Sequence, residues 1–563
     1  MAPSSFATAP SWRRDVVLLL FLFGALFAWR LGSAPLLNPD EGRYAEVPRE
    51  MVASGDWVTP RLDGVPYFEK PPLMYWAVAA CQRYLGSGEW SLRLAPALFS
   101  LAGILTVYGA ARSLYGRDAG LWSALVLGTS LLYFAFAHLL GLDMAVSVLT
   151  SATLFCFILA VREEPGRARR LLFWGLYLSA ALATLTKGLM GFLIPGAVMF
   201  LWLLLLGQWK RLRPMHLPTG IVLFLAVAAP WHVLVARRNP DWTHFYFVYE
   251  HWERFFDKGH GRYQPFWFFI PIVLLGLFPW TGFAWSAFRD ALAGGWAKRR
   301  DNAEAWFLAI WAGFIFVFFS KSQSKLIPYI LPVFPPIAVL VGRWMALVLP
   351  SPDAFARMRT GLRTFGFLSG LIAAALCVAV LAPHLIHEPG QAQQLRPYAY
   401  IIAGILCLGG LRALIPRAGP GAARGAIVAM TATLAFLGGV LLLAVPVIDV
   451  RSTKDIAVEA RGIIRPGDRV YHYHGFFHDF TYYTGNVVGL VRYSDELELQ
   501  FLDPAERQAR FIDDAGFRKE WAGPGRVFAV ARKKDVTELF SDPAFHKQLL
   551  GETPDHYLFS NRP

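Results

Sequence analysis

Apolar segments of about 20 residues recur along most of this 563-residue chain and constrain its fold more than any other feature, because a helix of that length crosses the hydrocarbon core of a bilayer. Thirteen segments fit this criterion, so the sequence predicts an α-helical polytopic membrane protein. The segments are centred near Leu22, Leu101, Val126, Leu149, Leu178, Phe200, Leu225, Leu274, Ile315, Pro335, Ile372, Cys407 and Phe436.

The composition excludes several other classes of protein. Hydrophobic residues make up 55% of the chain and charged residues 17%, whereas soluble domains carry about 25% charged residues. This excludes a disordered chain, a collagen-like fibre and a soluble multidomain enzyme. The four cysteines lie in apolar or near-apolar segments without a CxxC motif, which excludes a disulfide framework and a zinc ribbon. They are Cys81, Cys156, Cys377 and Cys407.

The basic residues predict the orientation. The net charge is +14, and with a cytoplasmic N-terminus every alternate short loop carries arginine or lysine, as the positive-inside rule requires. Thirteen spans then place two longer loops, residues 32–73 and 237–264, on the outer face. The same count places residues 449–563 outside the cytoplasm as a separate domain following a transmembrane domain of residues 1–448.

The C-terminal segment reads as a small α/β domain. From Arg451 onward it holds 16 basic and 17 acidic residues, so the positive excess lies in the membrane part. Hydrophobic patterning predicts helices at 455–464 and 535–540 and strands at 469–474 and 526–531.

The first outer loop contains two adjacent carboxylates, Asp40 and Glu41, followed by Arg43. Adjacent residues do not share a face of a helix or a strand, so the two acids are expected to differ in role. One can face a substrate while the other holds the loop in place. The alternative is that both are solvated loop charges.

A second motif follows in the same loop, with Tyr67, Glu69 and Lys70 just before Pro71-Pro72. The proline pair can open a helix, and the sequence predicts one at Leu73–Leu85 that is too short to span a bilayer. Such a helix lies at the interface and holds Lys70 at headgroup depth. Alternatively, Lys70 is a snorkelling cation without a specific ligand.

Ionisable residues also stand at the outer ends of predicted spans, where a charge is costly and usually functional. A structural role is the alternative for each one alone. Together they predict a basic cavity at the outer interface that suits a lipid phosphate. The residues are Asp143, Lys187, Lys321, Lys325 and Tyr329.

The sequence leaves a divalent cation open as a cofactor. His251 with Glu69 could hold one, although no fixed ligand spacing such as HExxH is present. His472, His474 and His478 are a weaker candidate set. There is no nucleotide-binding loop and no Asp-x-Asp pair, and no basic patch in the C-terminal segment indicates nucleic acid binding.

Four motifs together resemble the integral-membrane glycosyltransferases of the protein O-mannosyltransferase type. They are Asp40-Glu41, Tyr67-x-Glu69-Lys70-Pro71-Pro72-Leu73-x-Tyr75-Trp76, Thr186-Lys187-Gly188 and Lys321-Ser322-x-x-Lys325-Leu326-x-x-Tyr329. With thirteen spans and a C-terminal α/β domain, the chain looks most like the aminoarabinose lipid A transferases of Gram-negative bacteria. This resemblance implies a GT-C fold, an undecaprenyl-phosphate-linked sugar donor and a lipid A acceptor at the periplasmic side of the inner membrane. It also implies resistance to polymyxin and cationic peptides.

The resemblance also implies roles for individual residues. It maps Asp40 to the reaction centre and Lys70 to the donor phosphate, with Arg43 and Tyr67 as neighbours; direct roles for Asp143 and Lys187 are less securely implied. It suggests inverting single displacement, with no cofactor required. The alternatives are a polyprenyl-phosphate-mannose protein O-mannosyltransferase and a lipid or drug transporter. The absence of an internal repeat weakens the transporter.

Overall fold

The computed structural model describes residues 11–247, 263–382, 389–415, 421–493 and 497–563. The chain forms two compact units, one of residues 1–31 with 96–444 and one of residues 32–95 with 445–563. The predicted domain boundary at 448/449 lies four residues from the division at 444/445. The predicted membrane domain of residues 1–448 includes residues 32–95, which in the structure group with the C-terminal segment because their partners lie there.

The first unit is helical, and each of the thirteen predicted segments has its centre on a helix or next to the break in a bent helix pair. Its helices are Ser11–Ala28, Glu89–Tyr115, Arg117–Gly128, Leu131–Ala137, Asp143–Ala160, Arg167–Lys187, Met190–Leu206, Leu217–Arg238, Phe269–Gly276, Thr281–Ala291, Ala303–Lys321, Phe334–Val348, Ala354–Leu381, Pro389–Leu414 and Ala422–Ile448. The described part of this unit also has short helical turns at Trp209–Leu212, Trp242–His244, Gly295–Lys298 and Ile327–Val333. The chain is a multi-pass membrane protein.

In the described part of the chain, eight helices are long and apolar enough to cross a membrane, or up to ten if each bent pair is one span. The bent pairs are Arg117–Gly128 with Leu131–Ala137, at 68°, and Phe269–Gly276 with Thr281–Ala291, at 98°. Three further helices are not among the eight. Ser11–Ala28 carries three charges in 18 residues, Arg167–Lys187 begins and ends with basic residues that lower its hydropathy, and Met190–Leu206 has 17 residues. The count of thirteen spans therefore stays a prediction.

Buried polar contacts and close backbone packing hold the first unit together. Asp15 is 2% exposed and accepts hydrogen bonds from Tyr108 at 2.7 Å and Arg117 at 2.6 Å, which ties three helices at one end. Gly342 faces Ser123 so closely that a Cβ there would lie 2.5 Å from the Ser123 nitrogen. Helices Arg117–Gly128 and Phe334–Val348 thus pack backbone to backbone.

Apolar side chains remain on the outside of the first unit, as in a helix bundle surrounded by lipid. Phe21, Phe367 and Leu408 are 78%, 69% and 72% exposed. In helix Leu217–Arg238, only 22% of the most apolar 18 residues are buried inside the protein, against 83% in the segment Ile327–Val348. Helix Leu217–Arg238 therefore faces outward over most of its surface, whereas the segment Ile327–Val348 is enclosed by protein.

The N-terminal part of the second unit contains two helices and a hairpin. Helix Asp40–Ser54 is followed by strands β1 (Arg61–Leu62) and β2 (Val65–Pro66), then by helix Leu73–Leu85. The two-residue turn Asp63-Gly64 has φ of 56° and 76°, the left-handed conformation typical of Asp-Gly hairpins. Helix Leu73–Leu85 has the bounds that the sequence predicts.

The C-terminal part is an α/β domain, which confirms the predicted fold class. Its sheet has the strand order β5-β4-β3-β6-β8-β7. The first four strands in that order are parallel to one another, and β8 pairs antiparallel with β6 on one side and with β7 on the other. The strands are β3 (Arg469–Tyr473), β4 (Gly489–Val491), β5 (Phe511–Ile512), β6 (Val527–Arg532), β7 (Gln548–Glu552) and β8 (His556–Ser560). The helices are Lys454–Ile463, His478–Thr484, Pro504–Arg510, Asp514–Trp521 and Thr537–Ser541, with turns at Leu499–Phe501 and Lys533–Asp535.

The four elements predicted in this domain each end within two residues of an observed element. Central strand β3 pairs Tyr471 with Gly489 on one side and with Ala529 on the other. Strands β3 and β6 are apolar and buried, which made them visible in the sequence. The remaining strands are short or lie toward an edge and carry a weaker pattern.

Candidate active site

Asp40 and Glu41 open helix Asp40–Ser54 and differ sharply in exposure. The Asp40 side chain is 67% exposed and forms an ion pair with Arg43, whereas the Glu41 side chain is 3% exposed. Acidic residues in the first turn are favourable because the N-terminus of a helix carries partial positive charge. One carboxylate therefore faces outward and the other is enclosed.

Glu41 holds the segment that precedes it. Arg93 donates to its carboxylate twice, Nε to Oε1 at 2.9 Å and Nη2 to Oε2 at 2.6 Å, and the Leu37 amide donates to Oε2 at 2.9 Å. The same guanidinium donates to the carbonyls of Ala34 and Pro35, each at 2.8 Å. Glu41 thus anchors residues 34–37, and a direct substrate contact for it remains an untested prediction.

Arg43, the ion-pair partner of Asp40, lies among three tyrosines, Tyr44, Tyr67 and Tyr75. The Arg43 guanidinium lies 5.8 Å from the Tyr44 ring centre, and Tyr44 stacks on Tyr75 at 5.7 Å. Burial raises the pKa of Tyr67 well above its usual value; Arg43 opposes this rise and Glu69 adds to it. Tyr67 therefore stays protonated and is available as a hydrogen-bond donor.

Glu69 and Lys70 lie at the start of helix Leu73–Leu85. Lys70 Nζ donates to the Glu69 carbonyl at 2.8 Å and lies 3.8 Å from its carboxylate. The two side chains are 20% and 23% exposed, so the ammonium is partly accessible. A carboxylate and an ammonium side by side can exchange partners when an anionic ligand arrives.

A second polar group lies in the first unit. Asp143, the first residue of helix Asp143–Ala160, pairs with Lys187, the last residue of helix Arg167–Lys187, at 2.5 Å. The Lys187 ammonium lies 4.3 Å from the ring centre of Tyr329. Three of the residues predicted to converge thus do so.

The other two cations are separate from this group. Lys325 is 5% exposed and donates to the carbonyls of Gln264 and Ser322, each at 2.6 Å. Two backbone acceptors in a buried setting favour a structural role for Lys325. Lys321 is exposed at the end of helix Ala303–Lys321.

The residues considered as metal ligands do not form a metal site in the described ranges. Within them, no group of three or more His, Cys, Asp or Glu side chains is arranged to hold a metal ion. His251, the suggested partner of Glu69, lies outside the described residues. His472 is buried beside Phe477 and Phe480, whereas His474 pairs with Asp514 at 2.8 Å.

Two contributors to the site region were missed in the sequence, Arg93 and Asp479. Arg93 lies in the first turns of an apolar helix, 52 residues from Glu41. Asp479 is fully buried and bonded to Asn38, 441 residues away. No local pattern reveals such pairs; the signal was a charged residue within an otherwise apolar segment.

Comparison with known proteins supports the membrane glycosyltransferase class. A family model described as dolichyl-phosphate-mannose-protein mannosyltransferase matches residues 69–233. An undecaprenyl phosphate-alpha-4-amino-4-deoxy-L-arabinose arabinosyl transferase of Pectobacterium carotovorum subsp. carotovorum is 34% identical over 399 residues, covering 70% of this chain and 69% of that protein. A relative from Proteus mirabilis, with the same name followed by the number 2, is 32% identical over 375 residues, covering 66% of this chain and 65% of that protein.

Solved structures extend the likeness over nearly the whole chain. The crystal structure of ArnT from Cupriavidus metallidurans bound to undecaprenyl phosphate superposes with a TM-score of 0.84 at 30% identity, covering 99% of each chain. An oligosaccharyltransferase of Archaeoglobus fulgidus matches with a TM-score of 0.51 at 13% identity, covering 96% of this chain and 71% of that one, and shares the fold alone.

The helical membrane unit, the α/β domain and these matches define an integral-membrane glycosyltransferase of the GT-C class that uses a polyprenyl-phosphate sugar. This confirms the enzyme class that the sequence predicts. Within the class, the chain belongs to the family of undecaprenyl phosphate-alpha-4-amino-4-deoxy-L-arabinose arabinosyl transferases.

Proposed function

We propose that the chain transfers 4-amino-4-deoxy-L-arabinose from undecaprenyl phosphate to a phosphate of lipid A at the periplasmic face of the bacterial inner membrane. The observation that carries this proposal is the match over 99% of both chains to an ArnT structure bound to undecaprenyl phosphate. Relatives named for aminoarabinose transfer from the same carrier support the choice of sugar.

The reaction is a displacement at the anomeric carbon of the sugar. An oxygen of the lipid A phosphate forms a bond to that carbon while the bond from the carbon to the carrier phosphate oxygen breaks. Undecaprenyl phosphate leaves with the electron pair. Phosphate esters have a second pKa near 6, so the attacking phosphate is already largely anionic at neutral pH and needs little help from a base.

Asp40 acts mainly through its charge in this proposal. Positive charge develops on the sugar ring as the carbon–oxygen bond breaks, and a carboxylate that faces it stabilises the transition state more than the ground state. The 67% exposed side chain of Asp40 is accessible for this contact. The pair of Glu41 with Arg93 fixes the backbone next to Asp40.

Lys70 is the residue we propose to bind the donor phosphate. Its ammonium is partly exposed and donates to the Glu69 carbonyl. A charge-assisted bond to phosphate is stronger than a bond to a neutral carbonyl, so the ammonium favours the phosphate. Arg43 and Tyr67 are neighbouring candidates, since Tyr67 interacts electrostatically with both Arg43 and Glu69. Negative charge then builds on the leaving phosphate next to a cation, which lowers the barrier.

Lys187 is a second candidate for binding a phosphate. Its partner Asp143 competes for the ammonium, since the pair is only 2.5 Å apart. Tyr329 adds a ring face and a hydroxyl to this group. The reaction has two substrate phosphates, one on the carrier and one on lipid A. Lys321, exposed at a helix end, is a candidate for binding the second of them.

Transfer of an aminosugar lowers the negative charge of lipid A. A weaker surface field reduces the accumulation of cationic peptides and polymyxins at the membrane. Cells that carry an active copy of the chain are therefore expected to survive higher polymyxin concentrations.

The decisive experiment is mass spectrometry of lipid A from matched cells that produce the wild-type chain, the Asp40→Asn variant or neither. We expect an added aminopentose on a lipid A phosphate in the wild-type sample alone. Unchanged lipid A together with hexose on serine or threonine of secreted proteins would instead identify a protein O-mannosyltransferase. Unmodified lipid A and protein, with altered lipid distribution between leaflets, would identify a transporter.

A further inference from the structure

Residues 34–42, here called the Asp40 segment, are held by two independent sets of polar contacts within the second unit. One set is the bidentate pair of Glu41 with Arg93 described above. The other comes from the C-terminal domain, through helix His478–Thr484 and the stretch that follows the last membrane helix. That second set indicates what the C-terminal domain contributes to the reaction.

Asn38 and Asp479 bind each other at two points. Asn38 Nδ2 donates to the Asp479 carboxylate at 2.5 Å, and the Asp479 backbone amide donates to Asn38 Oδ1 at 3.3 Å. Asn38 Nδ2 also donates to the Arg451 carbonyl at 3.1 Å. A two-point contact fixes orientation as well as distance, and Asn38 is separated from Asp40 by a single residue.

The Asp479 carboxylate is fully buried and its remaining positions are occupied. It accepts from the Thr453 amide and hydroxyl, each at 2.7 Å, and from the Ser452 hydroxyl at 3.3 Å. Burial raises the pKa of Asp479, and the bonds from Asn38, Thr453 and Ser452 oppose that rise. A buried carboxylate is costly unless every lone pair is satisfied, so this arrangement tolerates little displacement.

Close packing adds to the polar contacts. A Cβ on Gly42 would lie 2.6 Å from the Asp479 nitrogen and 2.8 Å from the His478 Cβ, so only glycine allows this approach. Tyr483, on the same short helix, accepts from the Leu36 amide at 2.9 Å and donates to Glu89 at 3.0 Å. Helix His478–Thr484 thus contacts the Asp40 segment both before and after Asp40.

We propose that Asp479 is a positioning residue for Asp40, and that the C-terminal domain serves transfer by fixing the first turn of helix Asp40–Ser54 from outside the membrane unit. The inference rests on the proposed function, since it presumes that Asp40 acts on the sugar. Asp479 itself touches no substrate. A misplacement of about 1 Å at a reacting group costs on the order of 100-fold in rate.

The test is steady-state transfer by purified full-length protein in lipid vesicles, with undecaprenyl-phosphate aminoarabinose and lipid A as substrates. Asp479→Asn places an amide where four donors converge. We expect kcat to fall about 30- to 100-fold while KM for the donor changes less than about threefold, because Asp40 is misplaced but the donor contacts remain.

Asp63→Asn is the matched control. Asp63 is also fully buried in the second unit and is bonded to the C-terminal domain, through Arg510 at 2.6 Å and the Val488 amide at 2.8 Å. It lies on the β1–β2 turn and not in the Asp40 segment. We expect Asp63→Asn to lower the unfolding temperature without lowering kcat, whereas an equal loss of kcat in both variants would overturn the inference.

Asn38→Ala tests the same contact if Asp479→Asn does not fold. It removes only the Asp40-segment side of the contact and leaves the Thr453 bonds intact. We expect at least a tenfold fall in kcat for Asn38→Ala alone. Where Asp479→Asn folds, the double variant should be no less active than Asp479→Asn, because both changes break one contact. Full activity of folded Asn38→Ala, with Asp40→Asn inactive, would overturn this inference and leave the proposed function standing. Absence of lipid A transfer by the wild type would overturn the proposed function itself.

Discussion

The Asp40 segment and the Asp143–Lys187 group present an acidic residue in opposite ways. Asp40 is 67% exposed, with Arg43 beside it and its backbone held by Glu41 and Asn38. Asp143 is 21% exposed and pairs with Lys187 at 2.5 Å. Each acid has a cationic partner, but the Asp40 side chain is largely exposed on a fixed backbone, whereas the Asp143 side chain is mostly enclosed with its partner.

This difference teaches which acid is ready to act on a cationic transition state. Both acids have a cationic partner, Arg43 for Asp40 and Lys187 for Asp143, so what separates them is accessibility. The exposed carboxylate of Asp40 can be reached by a substrate, and a carboxylate that faces a developing positive charge stabilises it. We therefore propose that Asp40 supplies electrostatic stabilisation and that Asp143 controls the charge on Lys187.

The largest expected effect is that of Asp40→Asn, which removes the charge and keeps the shape. We expect kcat to fall roughly 10³-fold, the scale of a lost electrostatic contact at a reaction centre, with binding of undecaprenyl phosphate almost unchanged. Transfer rates and carrier binding measured on the same purified sample check this. Asp56→Asn, just after helix Asp40–Ser54, serves as a control that should stay active. Near-normal transfer by Asp40→Asn would make Asp143 the better candidate.

Lys70→Ala is expected to act on binding first. Loss of a charge-assisted contact to phosphate costs about 1.5–3 kcal/mol, which is roughly 10- to 150-fold in affinity for undecaprenyl phosphate. Titration of the purified protein with the carrier lipid measures this directly. Lys534→Ala, an exposed cation of the C-terminal domain, should leave the affinity unchanged. Equal affinities in all three proteins would remove Lys70 from the donor site.

Asp143→Asn should behave unlike Asp40→Asn. Releasing Lys187 from its partner is worth about 1 kcal/mol, so the affinity for undecaprenyl phosphate should rise about fivefold if Lys187 binds that phosphate. Measurable transfer should persist. Loss of transfer as complete as in Asp40→Asn would show that the two acids are equivalent and end the comparison.

The smallest effect concerns Glu50, at the far end of the helix that Asp40 begins. Burial, with the nearby charges of Glu46 and Asp63, raises the pKa of Glu50 to about 8. A folded pKa above the unfolded one stabilises the fold at low pH, and that stability is lost as pH rises through the folded value. We expect a loss of about 1 kcal/mol between pH 7 and pH 9.

Unfolding temperatures of wild type and Glu50→Gln at these two pH values measure the loss. Glutamine resembles the protonated acid, so the variant should lose less stability over this range. Glu538→Gln, exposed in the C-terminal domain, should follow the wild type. An identical pH response in wild type and Glu50→Gln would show that Glu50 is ionised at neutral pH.

Much of the fold follows from the sequence because its main elements have strong local signals. Apolar length marked the membrane helices, and the Pro71-Pro72 pair marked the start of helix Leu73–Leu85. Helix Asp40–Ser54 was not identified, because its buried face includes Glu41, Arg43, Glu46 and Pro48. A buried side that carries charges has no apolar period to detect.

The candidate site was predicted in part for the same reason. Residue types and motifs pointed to Asp40, Lys70, Asp143 and Lys187, and the structure pairs the last two. Which adjacent acid faces outward depended on Arg93, whose partnership with Glu41 no periodicity reveals. The grouping of residues 32–95 with the C-terminal domain likewise depends on pairs more than 350 residues apart, such as Gln82 with Tyr482.

The separation of Asn38 from Asp479 also has a consequence for synthesis. Asp479 leaves the ribosome after every helix of the membrane unit, so for most of translation the Asp40 segment has no C-terminal partner. Contacts between residues 441 positions apart form late, since closing so long a loop must follow the local ones. On the proposed role of Asp479, the Asp40 segment is assembled only once the C-terminal domain has been made, and a chain that stops before residue 445 is expected to transfer no sugar.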